Sequence, residues 1–300
     1  MNDVDFTLGR YLHDGGGETG ALTRTIDWAA TPLGAVEKWS QALRTMVGLL
    51  LRNRSPLILM WGPEFVQFYN DAYRPILGAK HPKAMGQAGP VCFSEIWHVI
   101  GPMFQAPLSG EPATWSDDLI LWFDRNGFIE ETHFKVAYSP VPDETVTPTG
   151  IGGVLATVAE ISEQIYGERQ LRTLRELGAR AADAKTPEAA CHSAAETLGG
   201  DPRDVSFALF YLLDDGGETA TLAGAYGLEP GKHPAAPLAF DLRQASPETG
   251  WPIDAVAAER KIQVISDLAK RFGHLPVSEH GESSHTAIVL PLGSPDQPHI

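Results

Sequence analysis

The stretch IEETHFKVAYSPV, residues 129–141, carries the densest set of side chains able to do chemistry. Glu130, Glu131 and His133 are the residue types of a general acid, a general base or a metal-ligand set. Successive side chains of an extended chain point to opposite faces, so Glu131 and His133 share one face. Thr132, Phe134, Val136 and Tyr138 fall on the other, in alternation with His133, Lys135 and Ala137. That alternation describes a half-buried strand. It predicts that Glu131 and His133 look out at solvent, with a working acid–base pair as the alternative. Asp117-Asp118 reads as a turn leading into a strand.

Other reactive types are thinly spread. Cys92 and Cys191 are the two cysteines, far apart, and no CxxC or HExxH spacing accompanies them. A zinc site therefore lacks its ligand pattern. HDGGGETG, residues 13–20, has the glycines of a phosphate loop. It lacks the strand before, the helix after and the Lys-Ser/Thr ending, and is expected to be a flexible segment. No residue is assigned a catalytic or metal-binding role on these grounds.

The elements that must position such side chains are legible from periodicity. Residues 27–53 are expected to form one capped helix, with Thr31 as N-cap and Pro32 in its first turn. Val36, Trp39, Leu43, Met46, Val47 and Leu50 give it an apolar face for its own domain or for a partner copy. Residues 56–68, PLILMWGPEFVQF, read as two short strands around Gly62-Pro63. Asn70 or Asp71 can cap a short helix over 73–77, and Gly78 can stop it. Further strands are expected at 118–124, 129–141 and 151–161. Together 56–160 form an α+β domain, preceded by an N-terminal segment and helix over 1–55.

Composition then shifts. Residues 161–185 hold no proline, many charges of both signs, and Leu171, Leu174, Leu177 and Ala181 at helical spacing. A narrow apolar stripe of that kind suits a parallel coiled coil, or a helix packed on its own domain. A second domain is expected over 187–300. It opens with a helix over 188–198 that Thr186 and Pro187 start. The hairpin VSFALFYLLDDGGETATLAGAYGL follows, then strands in KIQVISDL and HTAIVLPLG. The polar end SPDQPHI supplies no closing helix, so this domain is expected to be cut short.

With these elements in order, residues 25–293 resemble the PAS–GAF sensory region of soluble bacterial sensor histidine kinases. In PAS domains an Asn follows the second strand, an aromatic stands three residues on, and a Gly ends the helix. Asn70, Tyr73 and Gly78 match that pattern, with Gly86 opening the next element. The wording of TPLGAVEKWSQALRT, WGPEFVQFYNDAY, GAKHPKAMG and SEIW is similar to such PAS domains. QLRTLRELGARAADAKTPEAAC is similar to their connecting helix, and the hairpin with HTAIVLPLG to a GAF domain. The resemblance implies a five-stranded antiparallel sheet with flanking helices, a connecting signalling helix, and a homodimer through the N-terminal and connecting helices.

It also implies a kinase output with a phospho-accepting His, and a response regulator beyond it. Neither a His in an H-E/D context nor an ATP lid stands in these 300 residues; His13-Asp14 lies in the glycine stretch. A serine phosphatase or a cyclic-dinucleotide enzyme is the alternative output.

Six of the seven Trp precede residue 123. An aromatic PAS cavity would be walled by Trp61, Phe68, Tyr73, Trp97, Phe134 and Tyr138, although large aromatics also simply fill cores. Flavin and haem stay open as cofactors. Covalent bilin is disfavoured, because Cys191-His192 stands in the first helix of the second domain and no Asp-Ile-Pro follows. Cys92 lies outside the Asn-Cys-Arg motif of flavin-adduct photoreceptors. His81, before Pro82, is a haem-ligand type expected to be exposed.

The bulk numbers bound the rest. Net charge is −15, which repels a phosphate backbone and argues against nucleic acid. The longest apolar run, 46–51, is too short to cross a membrane, and MNDVDFTLGR lacks a secretory start. Cytoplasm is the expected compartment.

Overall fold

The computed structural model describes residues 15–244, 250–276 and 284–293. The chain divides into two compact units, Met1–Tyr166 and Gly167–Ile300.

The first unit opens with helix α1, Gly17–Thr25. The expected flexible glycine segment is thus helical from residue 17, while His13-Asp14 lies outside the described residues. Its start is anchored at long range: Glu18 and Thr19 N–H groups donate to the Asp71 carboxylate at 3.1 and 2.8 Å. Gly17 has φ +58°, and a Cβ there would stand 1.7 Å from Asp71 Oδ2. Glycine lets the two approach.

The single helix expected over 27–53 is corrected. Short 3₁₀ turns at Trp28–Ala30 and Val36–Lys38 precede helix α2, Gln41–Arg52. Thr31 caps a turn, its hydroxyl accepting from Leu33 N–H, and Gly34 at φ +69° ends that turn. Ser40 is the helix cap, accepting from Leu43 N–H at 3.1 Å. The break lets Trp39 fold inward, donating from Nε1 to Gly34 C=O.

Strands β1, Leu57–Trp61, and β2, Val66–Tyr69, form the expected hairpin. Then come the short helices α3, Arg74–Leu77, and α4, Gly89–Cys92, and the longer α5, Trp97–Leu108. Strands β3, Thr114–Asp124, β4, Ile129–Pro142, and β5, Ile151–Glu160, complete the sheet. All neighbours are antiparallel, in the order β2-β1-β5-β4-β3. Asp117-Asp118 is not a turn before β3 but a register shift within it, between Ser116 and Leu119.

Every residue of β1 and β2 is buried, because this half of the sheet is covered on both faces. On one face lie Ile58 and Met60 with α5. On the other, Leu59 and its cross-strand partner Phe68 meet Trp28, Trp39 and the α2 residues Leu43, Val47 and Leu50. The apolar face of α2 is therefore packed in its own domain, the first of the two alternatives that the sequence left open.

Helix α6, Ser162–Asp183, follows β5 with only Ile161 between them. In the second unit, helix α7, Pro187–Leu198, is capped by Thr186, whose hydroxyl accepts from Ala189 N–H. Strands β6, Ala208–Leu213, β7, Thr219–Tyr226, and β8, Ala239–Asp241, form a three-stranded sheet in that order. Helix α8, Ile253–Glu259, strand β9, Gln263–Ile265, helix α9, Leu268–Phe272, and strand β10, Ala287–Val289, follow, with β9 and β10 paired. Leu228, Trp251, Ile265, Leu268, Phe272 and Leu275 are the larger members of its buried core. The expectation of a cut-short domain bears on 294–300, outside the described residues. Among the described residues no helix is long and apolar enough to cross a membrane.

Candidate functional site

Two places in the first unit could carry function: the space between the sheet and α5, and the junction where α6 leaves the sheet. The first follows from register. Ile58 and Met60 of β1, Phe134, Val136 and Tyr138 of β4, and Ala156 and Val158 of β5 point to one side. Phe93, Ile96, Ile100 and Phe104 close over them, and Tyr73 enters from the segment that Asn70 caps.

Asn70 is fully buried and fixes that segment. Its Oδ1 accepts from Leu57 N–H at 3.1 Å and Tyr73 N–H at 3.2 Å. Its Nδ2 donates to Asn53 C=O at 3.0 Å and Ser55 C=O at 2.7 Å. Gly78 stops the helix at φ +52°, where a Cβ would stand 2.4 Å from Arg125 C=O.

Of the six expected wall residues, Tyr73, Phe134 and Tyr138 line the cavity. The other three do not. Phe68 faces the back of the sheet, stacked on Trp28 with centroids 4.7 Å apart. Trp61 lies over β5, where a Cβ on Gly152 would meet its ring at 2.3 Å. Trp97 packs beside the cavity, against Phe65, Phe104 and the Cβ-less Gly89 and Gly101. Aromatic type alone does not report which face a residue takes. Phe93 and Phe104 were missed, yet 93, 96, 100 and 104 recur at helical steps and could have been found.

The cavity is about 30 Å³. That is room for one or two waters and for no ring system. Burial, then the neighbouring Tyr138 phenol, pushes the Tyr73 hydroxyl well above its ordinary value, and burial does the same at Tyr138. Neither phenol is set up to ionise. Flavin and haem, left open by the sequence, do not fit this space. His81 also fails as a haem ligand. It is not exposed but held between Tyr69 Oη at 2.9 Å from Nδ1 and Glu18 Oε1 at 3.0 Å from Nε2. Cys92 is buried and Cys191 half-buried in α7. Among the described residues no three His, Cys, Asp or Glu side chains converge as a metal set.

The second place centres on His133. The alternation places it opposite Phe134 correctly, but its side chain is only 3% exposed, which corrects the solvent-facing expectation. The β3 register shift aims Asp118 at it: Oδ1 lies 2.7 Å from Nδ1. Glu131 Oε1 lies 2.8 Å from Nε2. The root of α6 covers the group. His133 N–H donates to Ser162 Oγ at 2.9 Å, and Ile161 N–H to His133 C=O at 2.8 Å. Tyr166 donates its hydroxyl to Glu131 C=O and sets its ring edge-on to the imidazole. The cluster thus forms a joint between strand and helix. Farther along α6, Leu171 and Leu174 are 54% and 63% exposed, Leu177 is partly covered and Ala181 exposed.

No protein-family model matches the chain, and no curated protein matches it. Solved structures do. The PAS domain of BvgS from Bordetella pertussis is 16% identical, over 45% of this chain and 99% of that one, with a TM-score of 0.30. An RNA-binding Light-Oxygen-Voltage receptor is 16% identical over 41% of this chain and 34% of its own, with a TM-score of 0.30. The chromophore-binding domain of a Stigmatella aurantiaca phytochrome is 12% identical over 81% and 70%, with a TM-score of 0.26.

Proposed function

We propose that this chain is the input region of a cytoplasmic signalling protein. In this reading a PAS-like unit and a GAF-like unit are joined by α6, which carries a change of state toward an output. One observation supports it above the others. The last strand of the sheet runs into α6 through the single residue Ile161, and beyond Tyr166 the helix presents Leu171 and Leu174 to solvent. A strand that moves must move the helix root, and exposed leucines at a three-residue step suit a second copy of the same helix. Ordinary surface helices keep such a stripe covered.

The trigger is proposed to be a partner or a very small molecule, since the cavity of about 30 Å³ takes no cofactor ring. The same fact favours a second reading, a ligand-free assembly module whose cores are simply packed. The output follows from the resemblance alone: a histidine kinase with its response regulator, or one of the exchangeable enzymes named above. No nucleic-acid or membrane partner enters this reading, in keeping with the net charge of −15.

Sedimentation equilibrium of the whole chain tests the helix model. A dimer with a dissociation constant of about micromolar order is expected, as for short paired helices reinforced by flanking contacts. Leu171→Glu with Leu174→Glu should return it to monomer with unchanged circular dichroism. A strict monomer at high concentration would remove the dimeric relay. Native mass spectrometry then separates the two readings, a bound small molecule favouring the sensor and bare protein the assembly module.

A further inference from the structure

The wall of the cavity over residues 71–77 has two sides with different chemistry. Tyr73 and Ile76 line the cavity. Asp71 and Arg74, also three residues apart, meet α1 instead. Positions at that step share one side of a helical turn, so the two pairs look in different directions. Asp71 accepts from the Glu18 and Thr19 N–H groups at 3.1 and 2.8 Å. Arg74 Nη1 lies 2.9 Å from Glu18 Oε2, and the other oxygen of that carboxylate lies 3.0 Å from His81 Nε2.

Both partners in this contact are lightly held elsewhere. Among the described residues, the polar contacts that 71–77 make outside their own turns run to Asn70 and to α1. The segment is fixed only at its ends, by the Asn70 amide and by Ala79 N–H, which donates to Arg125 C=O at 2.7 Å. The buried residues of α1 are Thr19, Gly20 and Thr23, whereas α2 buries Leu43, Val47, Leu50 and Leu51. Small side chains remove little apolar surface from water, so charge-assisted bonds carry more of the attachment of α1.

We propose that residues 71–77 are the wall that moves when the cavity opens, and that α1 is the latch that keeps it shut. When α1 lifts, Asp71 and Arg74 turn to water, which solvates both charges. Tyr73 and Ile76 follow, because the 3₁₀ turn and α3 are continuous. The strands that line the cavity have no such freedom: β1, β4 and β5 each pair with neighbours on both sides. That an opening admits a trigger rests on the sensor reading above. The latch itself is read without any ligand, and a monomeric chain, which would remove the dimeric relay, leaves its test as it stands.

The measurement is amide hydrogen exchange on the whole chain. The Tyr73, Arg74 and Gly78 amides report the wall, and Leu22 and Thr23 report α1. Val136 and Tyr138 of β4, across the cavity, are the references. Two variants act on α1 alone. Glu18→Ala removes the carboxylate that meets Arg74 and His81. Gly17→Ala sets a Cβ 1.7 Å from Asp71 Oδ2 and wedges α1 away from it. In each, protection of α1 and of the wall is expected to fall together, by about fivefold or more relative to β4, as for a local opening. From the cavity side, Ile76→Ala loosens the wall, and reciprocity requires α1 to lose protection by a like factor. Protection lost in α1 and kept at 73, 74 and 78 overturns the proposal. So does unchanged protection of both in the two α1 variants, or a wild-type wall that exchanges no faster than Val136 and Tyr138. If Ile76→Ala does not fold, the α1 variants decide the matter.

Discussion

Asn70 serves four backbone groups with one amide, and nothing else in the segment could replace it. Leu57 and Tyr73 donate to its oxygen, and Asn53 and Ser55 accept from its nitrogen. Asn70→Ala leaves buried N–H and C=O groups unmet, so a loss of about 2–4 kcal/mol is expected, read as a lower urea midpoint with unchanged slope. Asp71 beside it works by charge. Burial opposes its ionisation, but the Thr19 N–H and hydroxyl, the Glu18 N–H and Arg74 outweigh burial and hold its carboxyl below the ordinary value. A depressed folded-state value stabilises the native state above the unfolded value and loses that contribution as pH falls through the folded one. Asp71 should thus secure α1 at neutral pH and release it below about pH 4. The stability gap between wild type and Asp71→Asn should close over that window. A gap that persists to the acid limit would assign the role of Asp71 to packing.

Among the elements, α2 decides how the unit is built. Its face of Leu43, Val47, Leu50 and Leu51 is buried against the sheet. Leu50→Ala should cost about 2–5 kcal/mol, the range for emptying a packed leucine site. The same change at Leu49, which is 49% exposed, should cost under about 0.5 kcal/mol. If α2 instead served a partner copy, the Leu50 effect would depend on protein concentration.

The strands were legible because alternation and turn residues act locally: β4 lies where its alternation places it, and the β1–β2 and β6–β7 hairpins lie where Gly62-Pro63 and Asp214-Asp215-Gly216-Gly217 place their turns. The α2 start was not, because Thr31-Pro32 has the chemistry of a cap and begins only a turn. What overrides it is tertiary, the burial of Trp28 and Trp39 on Phe68. The site divides the same way. Tyr73, Phe134 and Tyr138 follow from register and from the Asn70 cap. Phe68 and Trp61 could not be assigned a side, since β1 and β2 are buried on both faces and show no alternation. His133 was placed on the right face, and what covers it is a helix root thirty residues later in the chain.

At the scale of the whole molecule the two units differ in how much apolar surface they bury. The first packs five strands between α5 and the α1–α2 segment, with large side chains such as Tyr69, Phe68, Phe93 and Phe104 almost without exposure. Among the described residues the second holds a three-stranded sheet and a two-stranded pair, and β6 has no fully buried residue. Burial stabilises by about 25 cal/mol per Å² of apolar surface, while ordering each residue costs about 1–2 kcal/mol. A unit with fewer buried side chains per ordered residue must be the weaker. Calorimetry of the whole chain should therefore show two transitions, the second unit melting first. Trp251 is the only tryptophan beyond residue 122, buried against Phe272 with centroids 4.3 Å apart. The fluorescence difference between wild type and Trp251→Phe should then report the lower transition and none of the upper. One coincident transition by heat and by that difference signal would mean that α6 couples the two units into a single cooperative structure. A relay through α6 would then transmit stability as well as position, and Leu50→Ala in the first unit would lower the melting of Trp251 in the second.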